Sequence, residues 1–197
     1  MTKPIRSICV FCGSSSGSKR EYLEAAEALG SLLGRSQIEL VYGGASVGLM
    51  GAMANAALAA GGRVTGIIPK ALDSREVAHR GLSKLEIVDT MLERKARMTE
   101  LADGFVALPG GGGTLDELFE VFTWAQLGMH TKPIVLYQVA GFYDHLIEFV
   151  DHAVTQGFIS AEHRRILKVA DGAESVLAAV RAGGVETSAQ FIDQSDL

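Results

Sequence analysis

Four consecutive glycines at residues 110–113 join an apolar run to a run with helical periodicity, an order that few folds accommodate. The preceding run, residues 104–108, is short and largely apolar, as in a buried strand, whereas the following run carries acidic residues at helical spacing. Glycine lets the backbone come close to an anion, and the first N–H groups of a helix are unpaired donors at the positive end of its dipole. The pattern therefore predicts a phosphate-binding loop with a carboxylate beside it, and the alternative is a flexible surface turn.

Short apolar runs alternate with helical patterns along the rest of the chain. The predicted strands are residues 5–11, 38–42, 63–68, 85–88, 104–108 and 133–137, with a further brief apolar segment at 166–169. The predicted helices are residues 19–34, 47–60, 91–102, 114–129, 142–156 and 173–182. This alternation predicts an α/β fold, a Rossmann-like doubly wound parallel sheet with helices on both faces. We expect a single domain over residues 1–182 and a frayed polar tail over 183–197.

Composition limits the partners of the chain. A net charge of −5 provides no basic stripe, so we expect neither nucleic-acid nor membrane binding. No apolar stretch reaches the ~18 residues of a membrane span, and the N-terminus leads into a strand pattern instead of a signal sequence. These features predict a cytoplasmic protein.

Cys9 and Cys12 have the C-x-x-C spacing of some redox and metal sites. Both fall in the first strand pattern, where alternation places them on opposite faces. A zinc site would need two further ligands, and the five histidines offer none at ligand spacing. We therefore expect no metal and interpret both cysteines as core or loop residues.

Three loops are candidate ligand sites because doubly wound sheets bind ligands beyond the carboxyl ends of their strands. The first follows the first strand and offers Gly13 and Ser14. The second follows the second strand and offers Gly43, Gly44 and Gly48, and the third is the four-glycine loop. We expect all three to lie at the same edge of the sheet.

The second loop resembles a dinucleotide-binding fingerprint only loosely. Gly44, Gly48 and Gly51 are spaced more widely than in G-x-G-x-x-G, and no acidic residue ends the next strand to bind a ribose hydroxyl. The sequence therefore disfavours a nicotinamide-dependent dehydrogenase.

Arg94 lies in an otherwise apolar stripe of the helix that Thr90 and Glu93 are expected to cap. A guanidinium on a buried face needs either an ion pair or an anionic ligand. We expect the neighbouring Glu93 and Arg97 to be solvated.

Glu117 stands out among the acids of the helix after the glycines because it shares a row with Val121 and Trp124. Asp116 and Glu120 lie on the polar side with Thr123. Favourable charge at a helix N-terminus explains those two but leaves the placement of Glu117 without a structural reason.

Residues 109–117, PGGGGTLDE, match the P-G-G-x-G-T-x-x-E signature of the LONELY GUY family, the cytokinin riboside 5'-monophosphate phosphoribohydrolases. Residues 91–95, MLERK, resemble its M-x-x-R-K element. The loop from Tyr42 to Gly51 resembles the second-strand loop of the family, with Ala45 where many members have glycine. The resemblance covers nearly the whole chain.

The resemblance implies hydrolysis of the N-glycosidic bond of an adenosine 5'-monophosphate, often N6-prenylated, without metal or organic cofactor. It implies that Arg94 and Glu117 are the catalytic pair. Independently of the resemblance, a guanidinium beside a carboxylate is expected to anchor the nucleotide and to hold Glu117 ionised. The resemblance also implies homodimers with sites near the interface. The phosphate loop is then Gly111, Gly112, Gly113 and Thr114, and further substrate contacts are Glu76, Lys95 and Thr123.

Two other functions are associated with this fold or family. A nucleotide-binding or molybdenum-cofactor carrier of the same fold would use the glycine loop without hydrolysis. A lysine decarboxylase, a label given to some family members, would need pyridoxal phosphate on a lysine, and no motif supports one. The preferred purine base and the oligomer size beyond a dimer stay open.

Overall fold

The computed structural model describes residues 4–73 and 77–185. Its strands are β1 Ser7–Phe11, β2 Glu39–Tyr42, β3 Val64–Pro69, β4 Lys84–Val88, β5 Gly104–Ala107, β6 Ile134–Gln138 and β7 Leu167–Asp171. Its helices are α1 Arg20–Arg35, α2 Gly48–Ala59, α3 Lys70–Asp73, α4 Met91–Leu101, α5 Gly112–Gln126, α6 Asp144–Thr155, α7 Ala161–Arg164 and α8 Ala173–Arg181.

The seven strands form one sheet in the order β4-β3-β2-β1-β5-β6-β7, and every neighbouring pair is parallel. One core cluster packs α1, α2 and α8 against the sheet, and the second packs α4, α5 and α6 against the opposite face. The predicted doubly wound α/β fold is therefore confirmed. Cys12 belongs to the first cluster and Cys9 to the second, both as buried free thiols, so their predicted separation is also confirmed.

Two details of the predicted elements are wrong. Helices α3 and α7 were not predicted, since each has four residues and is too short to show periodicity. Helix α5 begins at Gly112, two residues before the predicted start, because glycines carry no side chain from which a helical pattern can be read. It ends at Gln126 instead of residue 129, and Gly128 beyond it has a left-handed φ of 78°.

The strand order reverses between β1 and β5, the position where ligands bind in such sheets. Two backbone hydrogen bonds join the three predicted loops there: Gly13 N donates to Pro109 O at 3.0 Å, and Leu49 N donates to Gly13 O at 3.1 Å. Gly48 has a φ of 58°, and a Cβ on it would lie 2.3 Å from the carbonyl carbon of Ser14. The loops therefore lie at the same edge of the sheet, as predicted.

Two predictions lie wholly or partly outside the described residues. Glu76, predicted to contact substrate, is outside them, and so are residues 186–197 of the predicted tail. Within the tail's described part, Val185 packs against the second core cluster. No helix within residues 4–73 and 77–185 is both long and apolar enough to cross a membrane.

Candidate active site

Capping at the start of α4 fixes the position of Arg94. The Thr90 hydroxyl oxygen accepts a hydrogen bond from Glu93 N at 3.1 Å, which confirms the predicted N-cap. The Glu93 carboxylate reaches back one residue further than in the standard capping box and accepts from Asp89 N at 2.9 Å. The helix therefore starts at Met91 and presents Arg94 to the sheet one turn later.

The Arg94 guanidinium forms a buried ion pair with Glu117. Arg94 Nη1 lies 3.2 Å from Glu117 Oε1, and each side chain is 7% exposed. Arg94 Nε also donates to the carbonyl of Ile67, within β3, at 3.1 Å. A Cβ on Gly43 would lie 1.8 Å from Arg94 Nη2, so the guanidinium occupies the space that any side chain at residue 43 would need.

Burial dominates the electrostatics of Glu117. Its pKa is raised above the ordinary glutamate value because desolvation disfavours the carboxylate, and the nearby Arg94 charge lowers it only partly. Arg94 thus favours the ionised carboxylate, as expected, while burial acts in the opposite direction. A carboxyl group with a raised pKa gains or loses its proton closer to neutral pH, as acids and bases in catalysis do.

A cavity of about 230 Å³ opens beside this ion pair. Its lining residues come from the first and third loops and from α2, α4 and α5: Cys12, Gly13, Ser14, Met50, Arg94, Gly111, Gly112, Gly113, Thr114 and Glu117. The structure thus brings together the predicted pair, the four predicted phosphate-loop residues, Gly13 and Ser14.

Glycines 111–113 keep this cavity open. A Cβ built on any of the three would meet no protein atom within 4 Å, and none has a positive φ. The backbone conformation therefore does not require glycine here, and the missing side chains leave room for a ligand at the N-terminus of α5. Unpaired N–H groups at a helix N-terminus favour a phosphate or carboxylate.

Thr114 is buried at the base of the same cavity, with 3% of its surface exposed. A Cβ on Gly110 would lie 2.0 Å from Thr114 Oγ1. Gly110 is thus required for the packing of the threonine hydroxyl, whereas the three glycines after it leave open space.

Lys95 and Thr123 do not line this cavity. Lys95 Nζ lies 3.1 Å from both Asp116 Oδ2 and Glu120 Oε1, and so joins α4 to the polar side of α5. Thr123 is exposed on α5.

Gly43 and Gly44 shape the neighbouring loop without lining the cavity. Gly43 leaves the space that the Arg94 guanidinium occupies. Gly44 has a φ of 76°, and its carbonyl accepts from His79 N at 2.8 Å.

Arg97 is 33% exposed to solvent, and it also forms ion pairs that were not predicted. Its guanidinium donates to Glu86 on β4 at 2.8 Å and to Glu100 at 2.7 Å. These bonds, with a further one from Lys84, lower the pKa of Glu86 to about 2. The sequence did not show this contact because Glu86 lies on a strand whose alignment beside α4 is a tertiary feature.

Sequence reasoning missed Cys12 and Met50 as residues of the site. Both line the cavity, although Cys12 was interpreted as a core or loop residue and Met50 only as part of the second loop. Burial raises the pKa of the Cys12 thiol, so it is not a reactive thiolate. The available signal was position, since each residue directly adjoins a predicted loop glycine, Gly13 or Gly51.

The chemistry of the site does not point to a metal. Within residues 4–73 and 77–185, no three His, Cys, Asp or Glu side chains lie together as a metal site. The arrangement instead combines a helix N-terminus suited to an anion with a carboxyl group and a guanidinium beside it.

Comparison with known proteins gives this arrangement a family. The sequence model of the family described as "Possible lysine decarboxylase" matches residues 50–180. A cytokinin riboside 5'-monophosphate phosphoribohydrolase of Arabidopsis thaliana is 52% identical over 172 residues, 87% of this chain and 81% of that protein. One from Rhodococcoides fascians is 47% identical over 178 residues, 90% of each chain. The chain belongs to the LONELY GUY family. These relatives are named as phosphoribohydrolases, which are N-glycosyl hydrolases.

This chain also shares its fold with solved structures whose sequences are less similar to it than those of the relatives above. The molybdenum cofactor binding protein of Rippkaea orientalis matches with a TM-score of 0.70 and 20% identity, over 91% of this chain and 97% of that one. The molybdenum cofactor carrier protein of Chlamydomonas reinhardtii matches with a TM-score of 0.69 and 20% identity, over 91% of this chain and 97% of that one. At this identity the likeness extends to the fold alone.

The lysine decarboxylase description does not fit the LONELY GUY site. Decarboxylation of that kind needs a lysine to hold pyridoxal phosphate, and no lysine is among the residues that line the described cavity. Lys95, the nearest candidate along α4, is engaged by two carboxylates.

Proposed function

We propose that this protein hydrolyses the N-glycosidic bond of a purine nucleoside 5'-monophosphate, releasing the free base and ribose 5-phosphate. One observation carries the proposal: the buried Arg94–Glu117 pair and the open glycine-lined start of α5 face the same cavity. The names of the relatives supply the substrate class, a cytokinin riboside 5'-monophosphate.

In this proposal the 5'-phosphate lies against the N-terminus of α5. Gly111, Gly112 and Gly113 leave room for it, and their N–H groups with the Thr114 hydroxyl donate to its oxygens. The phosphate thereby fixes the position of the ribose relative to the two charged side chains, so that binding energy remote from the reacting carbon contributes to the rate.

Cleavage of the ribosyl C–N bond builds positive charge on the sugar, as in the oxocarbenium-like transition state of glycosidases. The carboxylate of Glu117 stabilises that charge and accepts a proton from the attacking water, whose oxygen bonds to the anomeric carbon. The bonding electrons leave with the base nitrogen, and the released purine takes up a proton. Arg94 orients Glu117 and donates a guanidinium N–H to the nucleotide.

A product assay tests this function. The purified protein is incubated with AMP, with isopentenyladenosine 5'-monophosphate and with the two nucleosides that lack phosphate. We expect free base and ribose 5-phosphate from the monophosphates and much slower release from the nucleosides. Binding of the monophosphates without release of base would instead favour a carrier. The relative rates for the two monophosphates identify the preferred base.

Gly112→Ala is expected to abolish most of the AMP hydrolysis while preserving or raising the melting temperature. Alanine in the first turn of a helix is favoured over glycine by about 0.5–1 kcal/mol, and its Cβ meets no protein atom. The methyl group instead occupies space that we assign to the phosphate. Thermal unfolding and the KM for AMP measure the two effects, and unchanged affinity for AMP would show that the phosphate lies elsewhere.

We also propose a cytoplasmic homodimer in which Thr123 contacts substrate in the partner's site. In support, Thr123 is exposed and lies outside the cavity of its own chain, and Met91 and Leu92 at the start of α4 are 46% and 68% exposed. We expect a dimer in sedimentation velocity, and a fully active monomer would contradict the proposal.

The cytoplasmic location is supported by Cys9 and Cys12, which are free thiols and so suit a reducing compartment. Cell fractionation tests this location.

A further inference from the structure

Tyr143 is a fully buried tyrosine whose hydroxyl contacts the backbone just before the glycine loop. It is 1% exposed and immediately precedes α6. Its Oη donates to the carbonyl of Leu108 at 2.7 Å. The residue does not line the cavity, so its contact with the site is made only through the backbone.

Neighbouring groups hold Tyr143 in this orientation. Its backbone N–H donates to Gln138 Oε1, at the end of β6, at 2.8 Å. The Gln138 amide in turn donates to Asp144 Oδ1 at 2.5 Å, at the first residue of α6. The Tyr143 ring also packs edge-on against Phe142, with centroids 5.0 Å apart. The hydroxyl therefore projects from a restrained part of the fold.

The carbonyl that Tyr143 binds belongs to a chain of contacts through all three loops. Leu108 is followed by Pro109, whose carbonyl accepts from Gly13 N at 3.0 Å. The Gly13 carbonyl accepts in turn from Leu49 N at 3.1 Å. The Tyr143 hydroxyl donates to the carbonyl of Leu108, the residue three positions before Gly111.

We propose that Tyr143 is a positioning residue, which fixes the path of the glycine loop and thereby the N–H groups that bind phosphate. This inference rests on the proposed function, since it assumes that the loop binds the 5'-phosphate. Its physical basis is that a buried carbonyl without a donor is costly, so loss of the hydroxyl would make the Leu108 peptide rotate or shift to find a new partner. A loop displaced in this way would present its N–H groups in the wrong directions.

Tyr143→Phe tests the proposal because it removes only the hydroxyl. We expect the Kd for inorganic phosphate, measured by calorimetry, and the KM for AMP to rise about tenfold, the consequence of one misplaced hydrogen-bonding group. The Kd for adenosine, which lacks phosphate, should stay within about twofold of the wild-type value. Tyr137→Phe is the control, since Tyr137 is also a buried tyrosine, 4% exposed, and does not line the cavity.

The outcomes separate positioning from general stability. Unchanged phosphate affinity, or an equal loss for AMP and adenosine, would overturn the proposal, and so would the same phosphate-selective loss in Tyr137→Phe. If Tyr143→Phe fails to fold, Gln138→Ala removes the acceptor that holds the Tyr143 backbone, and it should weaken phosphate binding selectively. A wild-type protein that binds AMP without hydrolysing it would refute the proposed function, while the phosphate titrations would still test the role of Tyr143.

Discussion

Glu117→Gln should lower the kcat for AMP hydrolysis by about 10²-fold or more, a loss typical of a missing general base or electrostatic stabiliser. Glutamine has the same shape, but it carries no charge to stabilise the ribosyl cation and accepts no proton from water. The fold should tolerate it, because its amide oxygen can still accept from Arg94 and burial already disfavours the carboxylate. Steady-state kinetics and thermal unfolding measure the two effects.

The pH dependence supplies an independent measurement of the same residue. Burial raises the pKa of Glu117 above the ordinary value of 4.5, and the ionised form is the active one. The kcat/KM should therefore rise with pH along a limb centred above 4.5, and this limb should be absent in the glutamine variant. For stability the sign is opposite: the folded state holds this proton more tightly, so the contribution of Glu117 falls as pH rises from 4.5 through its folded pKa.

Asp116→Asn is the control for charge on the same helix, since Asp116 is 60% exposed, pairs with Lys95 and does not line the cavity. We expect it to retain turnover close to that of the wild type. Near-normal turnover in Glu117→Gln would refute the role assigned to this carboxylate.

Gly43→Ala should reduce kcat/KM for AMP by at least about 10²-fold, although residue 43 does not line the cavity. The new methyl group would lie 1.8 Å from Arg94 Nη2, a distance that forces the guanidinium to move. Arg94 would then lose its alignment with Glu117 and with the Ile67 carbonyl. Kinetics with AMP measure the loss.

A double-mutant cycle tests whether this effect acts through Arg94. Arg94→Ala removes the group that the methyl displaces, so adding Gly43→Ala to it should cause little further loss of activity. Fully additive losses would mean that Gly43 acts independently of the guanidinium. The melting temperatures of all four proteins show whether either change also disturbs the fold.

Much of the fold followed from local patterns. Near-continuous apolar runs such as residues 104–108 predicted buried parallel strands, because both faces of such a strand are covered. Those strands in turn predicted that Gly13 and the glycine loop meet at one edge, and the hydrogen bond from Gly13 N to Pro109 O confirms this. The prediction was poorer where no side-chain pattern exists, as at the glycine start of α5 and in the four-residue helices.

The order of the elements, the glycine loop before α5 and the anomalous positions of Arg94 and Glu117 could all be predicted from local sequence, because each depends on residues that lie close together along the chain. Three contacts became evident only in the folded protein: Arg94 pairs with Glu117, Gly43 makes room for the guanidinium, and Lys95 binds Asp116 and Glu120. The physical reason is that these contacts join elements whose relative distance and rotation are set by packing on the shared sheet. The pKa of Glu117 belongs with them, since it depends on how completely the assembled fold removes the carboxyl group from water.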